Sequence, residues 1–571
     1  MTVVPLFCAK LVKKARADHE LGEARATPLR LEKWNARFNL WFNHKFQNML
    51  GGYERQLHIT LLRPLATVLG ITGVFLLSTA LYPWIGKSYF PRTDPSQFVI
   101  NLKAQTGTRL ELTSKLVGRV EQIVREVVPA GELKILVSNI GVTPGFSSIY
   151  TPNSGPHTAF LQVGLKEDHR LSSFEYMNLT RRRLQRELPE LAAYFQTGGL
   201  VDAVLNLGLP APLDIQVSGN NLEDAHRTAA GIAAQVRALP GVSDVLVPQD
   251  VDYPSLQLAI DRERASELGL SEKEIVGNVI TALTSDAMIA PSYWVDPKTG
   301  NDYMLAVQYP ENAVQTLADL ASIPLRAPRS SRPTRLDTVS RFKHIQSPTE
   351  VDHYQLRRTI DVYVAPKGED LSRLYAGVEQ IINHTVLPQN MTVTVRGSVQ
   401  AMRESFKSFA IGLILSVILV YLILVAQFRS FVDPFLILLA VPTGLTGVLL
   451  ILFLTGTTLN VMSLMGLIMM VGIVVSNSIL IVEFTNRLRA EGKSVREAVA
   501  LACKVRLRPV LMTSLATLIG LIPLALKLGA GGEAYASLAR AIIGGLAVSV
   551  VLTVFIVPSA YLLIHGKQKK S

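Results

Sequence analysis

The sequence predicts a membrane α-helical bundle of six transmembrane helices carrying an α+β domain. In that domain the second of two ferredoxin-like βαββαβ subdomains holds an inserted subdomain. Three observations predict it: six apolar stretches of spanning length, one long polar stretch between the first two of them, and a strand–helix order that occurs twice inside it. Composition agrees. Of 571 residues, 49% are apolar and 18% charged, against roughly 25% charged in an ordinary soluble protein. That balance excludes a disordered chain, which lacks apolar residues to bury, and a collagen-like or mucin-like one.

A bilayer core of about 30 Å needs roughly 20 apolar residues in a helix. Pro64–Tyr82, Phe409–Phe428, Pro434–Leu454, Met462–Phe484, Pro509–Leu526 and Ala541–Ile564 qualify. Core helices of a soluble protein are the competing reading, and six such runs, five of them consecutive, argue against it. The first run lies far into the chain and lacks a cleavage pattern, so it is not a signal peptide. Basic flanks set the orientation. They are Lys10 to Arg55 before the first span, Arg487 to Arg508 between the fourth and fifth, and Lys567, Lys569 and Lys570 at the tail. The connections Thr455–Val461 and Lys527–Arg540 hold few basic residues. Both termini are therefore expected in the cytoplasm and the stretch from about Gly86 to Lys407 outside.

The two cysteines, Cys8 and Cys503, then fall on the inner side, and the external domain is held by packing without disulfides. Basic residues near the membrane account for much of the net charge of +12, so no nucleic-acid partner is expected. Trp34, Phe38, Phe42 and Phe46 repeat every four residues beside Lys33, Arg37 and Lys45, which suits an interfacial helix. Val495, Val499, Ala502 and Val505 form a weaker version. For both, a helix packed on the end of the bundle is the alternative.

Within the external stretch, alternation in Phe98–Leu102 reads as a strand. A helix follows over about Arg109–Val128, then strands near Leu133–Val137 and Ala159–Leu165, a helix near Phe174–Leu188 and a strand near Tyr194. This β-α-β-β-α-β order is the split βαβ motif. It recurs with a strand at Leu213–Val217, a helix at Leu222–Leu239 and a strand at Val242–Val247. Its second half has a strand at Thr359–Val364, a helix at Leu371–Ile382 and a strand at Met391–Val395. The interruption from about Pro248 to Glu350 has elements of its own at Leu256–Ile260, Glu272–Leu283, Tyr303–Val307 and Leu317–Ile323. Two like folds side by side make a cleft between them a natural ligand site.

This layout, with the stretches Asn477-Ser-Ile-Leu-Ile-Val-Glu-Phe484 and Arg506-Leu-Arg-Pro-Val-Leu-Met-Thr-Ser514, resembles the C-terminal half of a resistance-nodulation-division (RND) efflux permease. The type is the acriflavine-resistance, or hydrophobe/amphiphile, exporter. Phe428-Arg-Ser-Phe431, Val441-Pro442, Gly529-Ala-Gly531 and Val557-Pro558 are also family-like. Even Val4-Pro5-Leu6-Phe7-Cys8 resembles the tail of the family's sixth span. The resemblance implies the following division. Residues 1–61 are a cytoplasmic or interfacial segment with the remnant of a preceding span, and 62–85 the first transmembrane helix. Residues 86–207 form one porter subdomain, and 208–247 with 351–398 a second. Residues 248–350 are the docking insertion and 406–571 a five-helix region.

The resemblance also implies a trimeric, proton-driven exporter of small hydrophobic compounds in a bacterial inner membrane. Its energy source is the proton gradient and no cofactor is needed. Its partners are the missing N-terminal half, a periplasmic adaptor and an outer-membrane channel. Proton coupling in the family uses two aspartates of the absent half, a lysine, an arginine and a threonine. By motif the arginine is Arg506 and the threonine Thr513, while Ser476, beside Asn477, stands where the lysine belongs. Coupling by a modified relay, by another ion, or no coupling are the options this leaves. Glu483 is the only acid inside a predicted span and shares a helix face with Ser476, seven residues away. An ion pair with an inner-loop base is its ordinary alternative; packing and backbone bonds are those of Ser476, Ser478, Thr513 and Ser514.

On the substrate side, Gly141–Pro156 with Phe146 and Tyr150 resembles the family's mobile switch loop, against the alternative of an ordinary surface loop. Val99, Asn101 and Phe160 are candidates to line the same cleft, with strand core as the commoner alternative. Enzymatic readings fail on the residues. Gly492-Lys493-Ser494 has Arg487 where a phosphate loop needs glycine, and no histidine pair has metal-ligand spacing. A non-transporting scaffold or degenerate remnant, and export of an endogenous lipid-like cargo, are the rival functions.

Overall fold

The computed structural model describes residues 30–142, 152–310, 312–326, 333–529 and 531–566. Among the described residues, six helices are long and apolar enough to cross a membrane: Pro64–Trp84, Ser398–Phe428, Val432–Leu454, Val461–Ala490, Val495–Ala525 and Gly532–His565. We number these membrane helices one to six. The sixth is the hub. In its most apolar stretch 67% of residues are buried, against 6% in the first and in the second. Small residues bring its neighbours close: a Cβ on Gly447 of the third helix would sit 2.1 Å from the Gly544 carbonyl oxygen of the sixth. With no side chain between them, the backbones make the dispersion contacts that hold helices together in lipid.

Between the first two membrane helices lies the α+β domain. Its first sheet comprises β1 (Gln97–Lys103), β2 (Leu133–Ile140), β3 (Thr158–Leu165) and β4 (Ala192–Thr197), ordered β2-β3-β1-β4 and antiparallel throughout. Phe98, Ile100 and Leu102 alternate onto one face and pack on helices Leu110–Val127 and Ser173–Glu187. The second sheet starts with β5 (Leu213–Ser218) and β6 (Val242–Leu246). The chain then leaves through β7 (Tyr253–Ile260), a hairpin of β8 (Ser292–Val295) and β9 (Asp302–Leu305), and β10 (Pro324–Leu325) paired with β11 (Thr334–Arg335). It returns through β12 (Ser340–Ser347), which pairs with β7 along its whole length. β13 (Asp352–Tyr354), β14 (Arg357–Pro366) and β15 (Thr392–Arg396) complete the sheet, ordered β13-β14-β5-β15 with β6 also on β14.

Two differences from the sequence reading are physical. Ser292–Val295 is a strand the pattern did not mark, because its partner Asp302–Leu305 and its own residues are exposed and carry no buried alternation. The second membrane helix begins eleven residues before the apolar run, at Ser398, because Val399 and Met402 are buried in the core of the second sheet. One unbroken helix thus runs from a subdomain core into the bundle. At its start Gly397 has φ +96°, and a Cβ there would lie 2.6 Å from the Pro212 oxygen. Only glycine fits that approach.

The amphipathic segments become parts of longer helices. Helix Arg30–Leu62 contains the aromatic repeat; the side chains of Trp34, Phe38 and Phe42 lie outside the described residues, and the Phe46 ring faces Arg508 at 5.7 Å. Val499 and Ala502 are buried in the bundle end, so that segment packs inward, as an extension of the fifth membrane helix.

Candidate functional site

Each strand of the first sheet has one face on its helices and one turned away. On the turned face Val99 stands opposite Gln196, and Asn101 opposite both Tyr194 and Phe160. A cavity of about 430 Å³ opens against it, between this sheet and the second subdomain. Val99, Tyr194, Phe195, Phe174 and Phe90 line it, with Arg92, Arg181 and Asp202, while Pro366–Glu369 and Ser398 form the opposite wall. Guanidinium groups cover two of the rings, Arg92 over Phe174 at 5.1 Å and Arg181 over Phe195 at 4.6 Å. Such stacking orients both groups and leaves a lining that is apolar with polar edges. Burial pushes the Asp202 carboxyl up; Thr197 and Arg92 oppose the shift. The Tyr194 hydroxyl is buried without a hydrogen-bond partner.

Of the predicted cleft residues, then, Val99 lines the cavity. Asn101 and Phe160 share its sheet face but stand outside the lining. Phe146 and Tyr150 lie outside the described residues. Phe174 and Arg181 read in sequence as part of a helix and Tyr194 as part of a strand, while Phe90 and Arg92 precede the first strand, where the sequence marks no element. The only available signal was Arg181, four residues after Met177 and hence beside the buried face of its helix.

Two buried ion pairs join the subdomains across this cleft. Arg181 donates from Nε and Nη2 to both Asp244 oxygens, at 2.8 and 2.9 Å. Lys103 meets Asp250 at 2.8 Å and also donates to the carbonyls of Val247 and Pro248. His157, fully buried, contacts Asp250 at 2.8 Å from the other side. Burial alone would raise the Asp250 carboxyl, but His157 and Lys103 outweigh it and hold it below its usual range.

The second sheet has a different outer face. Asp214 lies opposite Tyr363 and Arg396, and Gln216 opposite Asp361. Asp361 accepts from Gln216 at 2.9 Å and from Gln249 at 2.9 Å, and Gln249 also reaches Asp352 at 2.7 Å. Asp214 is fully buried and neither of its oxygens has a hydrogen-bond partner. Burial, then the neighbouring Asp361, pushes its carboxyl well up. Glu350 is pushed up to about 7 by burial and by Asp352 and Asp361. Among the described residues no three His, Cys, Asp or Glu side chains gather as a metal site.

In the bundle, Asn477 is buried and donates to Ser514 at 3.2 Å, tying the fourth membrane helix to the fifth. Ser476 and Thr513, each one residue from that bond, are exposed. Thr513 donates only within its own helix, to Pro509 and Val510. Arg506 does not reach them. Its guanidinium lies over the Phe484 ring at 4.5 Å, with Nε unpartnered. Glu483 shares the exposed face with Ser476 as expected and makes no ion pair among the described residues. The helices run beyond the predicted apolar stretches and so also take in Glu404, Asp433, Glu497 and Glu533. Asp433 opens the third membrane helix, is buried, accepts from Asn486 at 2.9 Å and lies 3.4 Å from His565. Tyr561 donates to the same Asn486 and accepts from Arg489 at 2.8 Å.

With this geometry in view, a model of the AcrB/AcrD/AcrF family matches residues 1–565. Among solved structures, two crystal forms of a heavy metal efflux pump superpose on the chain. The first gives a TM-score of 0.78 at 23% identity, over 91% of this chain and 53% of the pump. The second gives 0.76 at 22%, over 91% and 52%. The chain thus spans about half the length of the structures it matches. A sequence match over nearly its whole length, on a fold shared with such a pump, makes the chain a member of the AcrB/AcrD/AcrF family of RND efflux permeases.

Proposed function

We propose that the chain is the C-terminal half of a proton-driven RND exporter, with the 430 Å³ cavity on its substrate path. The observation that carries this is Ser398, which lines the cavity and is also the first residue of the second membrane helix. Movement of that helix in the bundle changes the cleft wall directly. A second tie supports it, as Glu533 of the sixth membrane helix accepts from the Asp94 backbone at 2.9 Å, just before β1. We read the two sheets as ferredoxin-like porter subdomains and the β7–β12 excursion as the docking insertion, with the division at residues 86–207, 208–247 with 351–398, and 248–350. Both termini are cytoplasmic in this reading and the α+β domain is periplasmic.

In this reading the exposed Ser476, Glu483 and Thr513 face the N-terminal half, which supplies the carboxylates for coupling, while Arg506 is half-buried over Phe484. A trimer, a periplasmic adaptor and an outer-membrane channel complete the pump. The cargo is a hydrophobic or amphiphilic organic molecule, because five aromatic rings with polar edges line a cavity of drug size. The neighbours' description as heavy metal pumps favours a second cargo, a soft metal ion, for which Met177 in the lining offers one thioether. Deleting the gene and measuring susceptibility to cationic dyes and to metal salts separates the two. Phe174→Ala should lower dye efflux several-fold without altering metal tolerance. Loss of metal tolerance alone would replace the organic cargo with the metal, and no change in either would favour the scaffold or lipid-cargo reading.

A further inference from the structure

A second cavity, of about 500 Å³, opens at the end of the bundle remote from the α+β domain. Its position follows from the fourth membrane helix. Val461, at one end, bonds to Tyr89 beside that domain, so Lys493, just past the other end, lies at the far membrane surface. One wall is helix Arg30–Leu62, through Leu57, His58 and Leu61; the other is the start of the fifth membrane helix, through Arg496, Leu501 and Lys504. Leu57 and Leu61 are buried, so the floor is apolar. The rim carries Lys493, Arg496 and Lys504 against Glu54 and Glu497, a net positive charge. Lys504 is already paired with Glu54 at 2.5 Å, and Glu497 is bonded to Ser494 at the helix start. Lys493 and Arg496 are exposed and have no ion pair among the described residues.

A basic rim over an apolar floor at a membrane surface fits a phosphate headgroup with its chains in lipid. The first membrane helix starts three residues after Leu61 and leaves Leu65, Leu69 and Leu76 exposed, an apolar surface within reach of those chains. We propose that this cavity binds the headgroup of an anionic phospholipid, with Lys493 and Arg496 holding the phosphate. A zwitterionic headgroup brings its own ammonium toward the same two cations and is the poorer ligand. The inference rests on the membrane-spanning reading but not on transport.

The test is native mass spectrometry of the full chain released from nanodiscs containing equal phosphatidylglycerol and phosphatidylethanolamine. Retained phosphatidylglycerol should exceed phosphatidylethanolamine by roughly tenfold. K493Q/R496Q should reduce that preference to about twofold or less, and K493R/R496K should keep it. Both variants should melt where the wild type does, since neither side chain holds the fold together. Excess inorganic phosphate should not displace the lipid. Equal retention of the two lipids, an unchanged preference in K493Q/R496Q, or displacement by phosphate alone would overturn the site. A chain that stays out of nanodiscs would refute the membrane reading and the site with it.

Discussion

On the first sheet, the face turned away from the helices presents Val99, Asn101, Phe160 and Tyr194; on the second, it presents Asp214, Gln216, Asp361 and Tyr363. The helix-facing sides are alike, with Phe98, Ile100 and Leu102 in one and Leu213, Ile215 and Val217 in the other. A shared fold therefore constrains one side of each sheet and leaves the other free to specialise. In the first that freedom shapes a cavity wall. In the second it buries carboxyls, and burial pushes them up from the ordinary range.

The largest effect should come from breaking the junction between them. Arg181→Ala leaves the Asp244 carboxylate buried and unpaired, at a cost of about 3–5 kcal/mol. Melting of the variant in detergent measures it, and adding Asp244→Leu should restore most of the loss. Next is Gly397→Ala, where the added Cβ meets backbone at 2.6 Å and a left-handed φ. We expect about 1–3 kcal/mol of destabilisation and weaker coupling of the cleft to the second membrane helix, read as lost efflux at unchanged expression.

The acid face should give the third effect, a dependence on pH. Folded Asp214 and Glu350 hold their protons more tightly than the unfolded chain does. Their stabilisation is fully present below the ordinary carboxylate range, about 4, and is lost as pH rises through their folded values, about 7 for Glu350. The wild-type melting temperature should therefore fall between about pH 5 and about pH 8. Asp214→Asn should flatten that slope and raise stability at the alkaline end. Asp250, shifted the other way by His157 and Lys103, adds stability throughout this window and loses it only as pH falls below it. An unchanged slope in the variant would mean that the two outer faces do not differ in this respect. The smallest effect is in the bundle, where Asn477→Ala removes the bond to Ser514 and should cost about 0.6 kcal/mol. Ser476→Ala, which removes no bond to another helix, should cost less, so a loss of transport there would report coupling and not folding.

How far the sequence could be read followed from how local each signal was. Strand and helix positions in both sheets came from alternation and helical periodicity, which depend on neighbours a few residues away. Val99 was one of three strand residues set against the cleft, and the other two, Asn101 and Phe160, stand outside the lining. Asp214 and Gln216 alternate with apolar residues, yet all six residues of β5 are buried, which periodicity by itself does not reveal. Asp433 was missed for a related reason: it sits one residue before the apolar run, and its partner Asn486 is 53 positions away.

By itself, then, the sequence determined the six apolar spans, the doubled strand–helix order, the insertion and the family, because each is written in composition, period or contiguous motif. The tertiary structure alone decided which polar faces are buried, that Arg181 and Lys103 bridge the cleft, that Arg506 rests on Phe484 away from Thr513, and that one helix joins a subdomain core to the bundle. These depend on which distant surfaces meet. A side chain's neighbours across such a contact leave no periodic trace in its own segment.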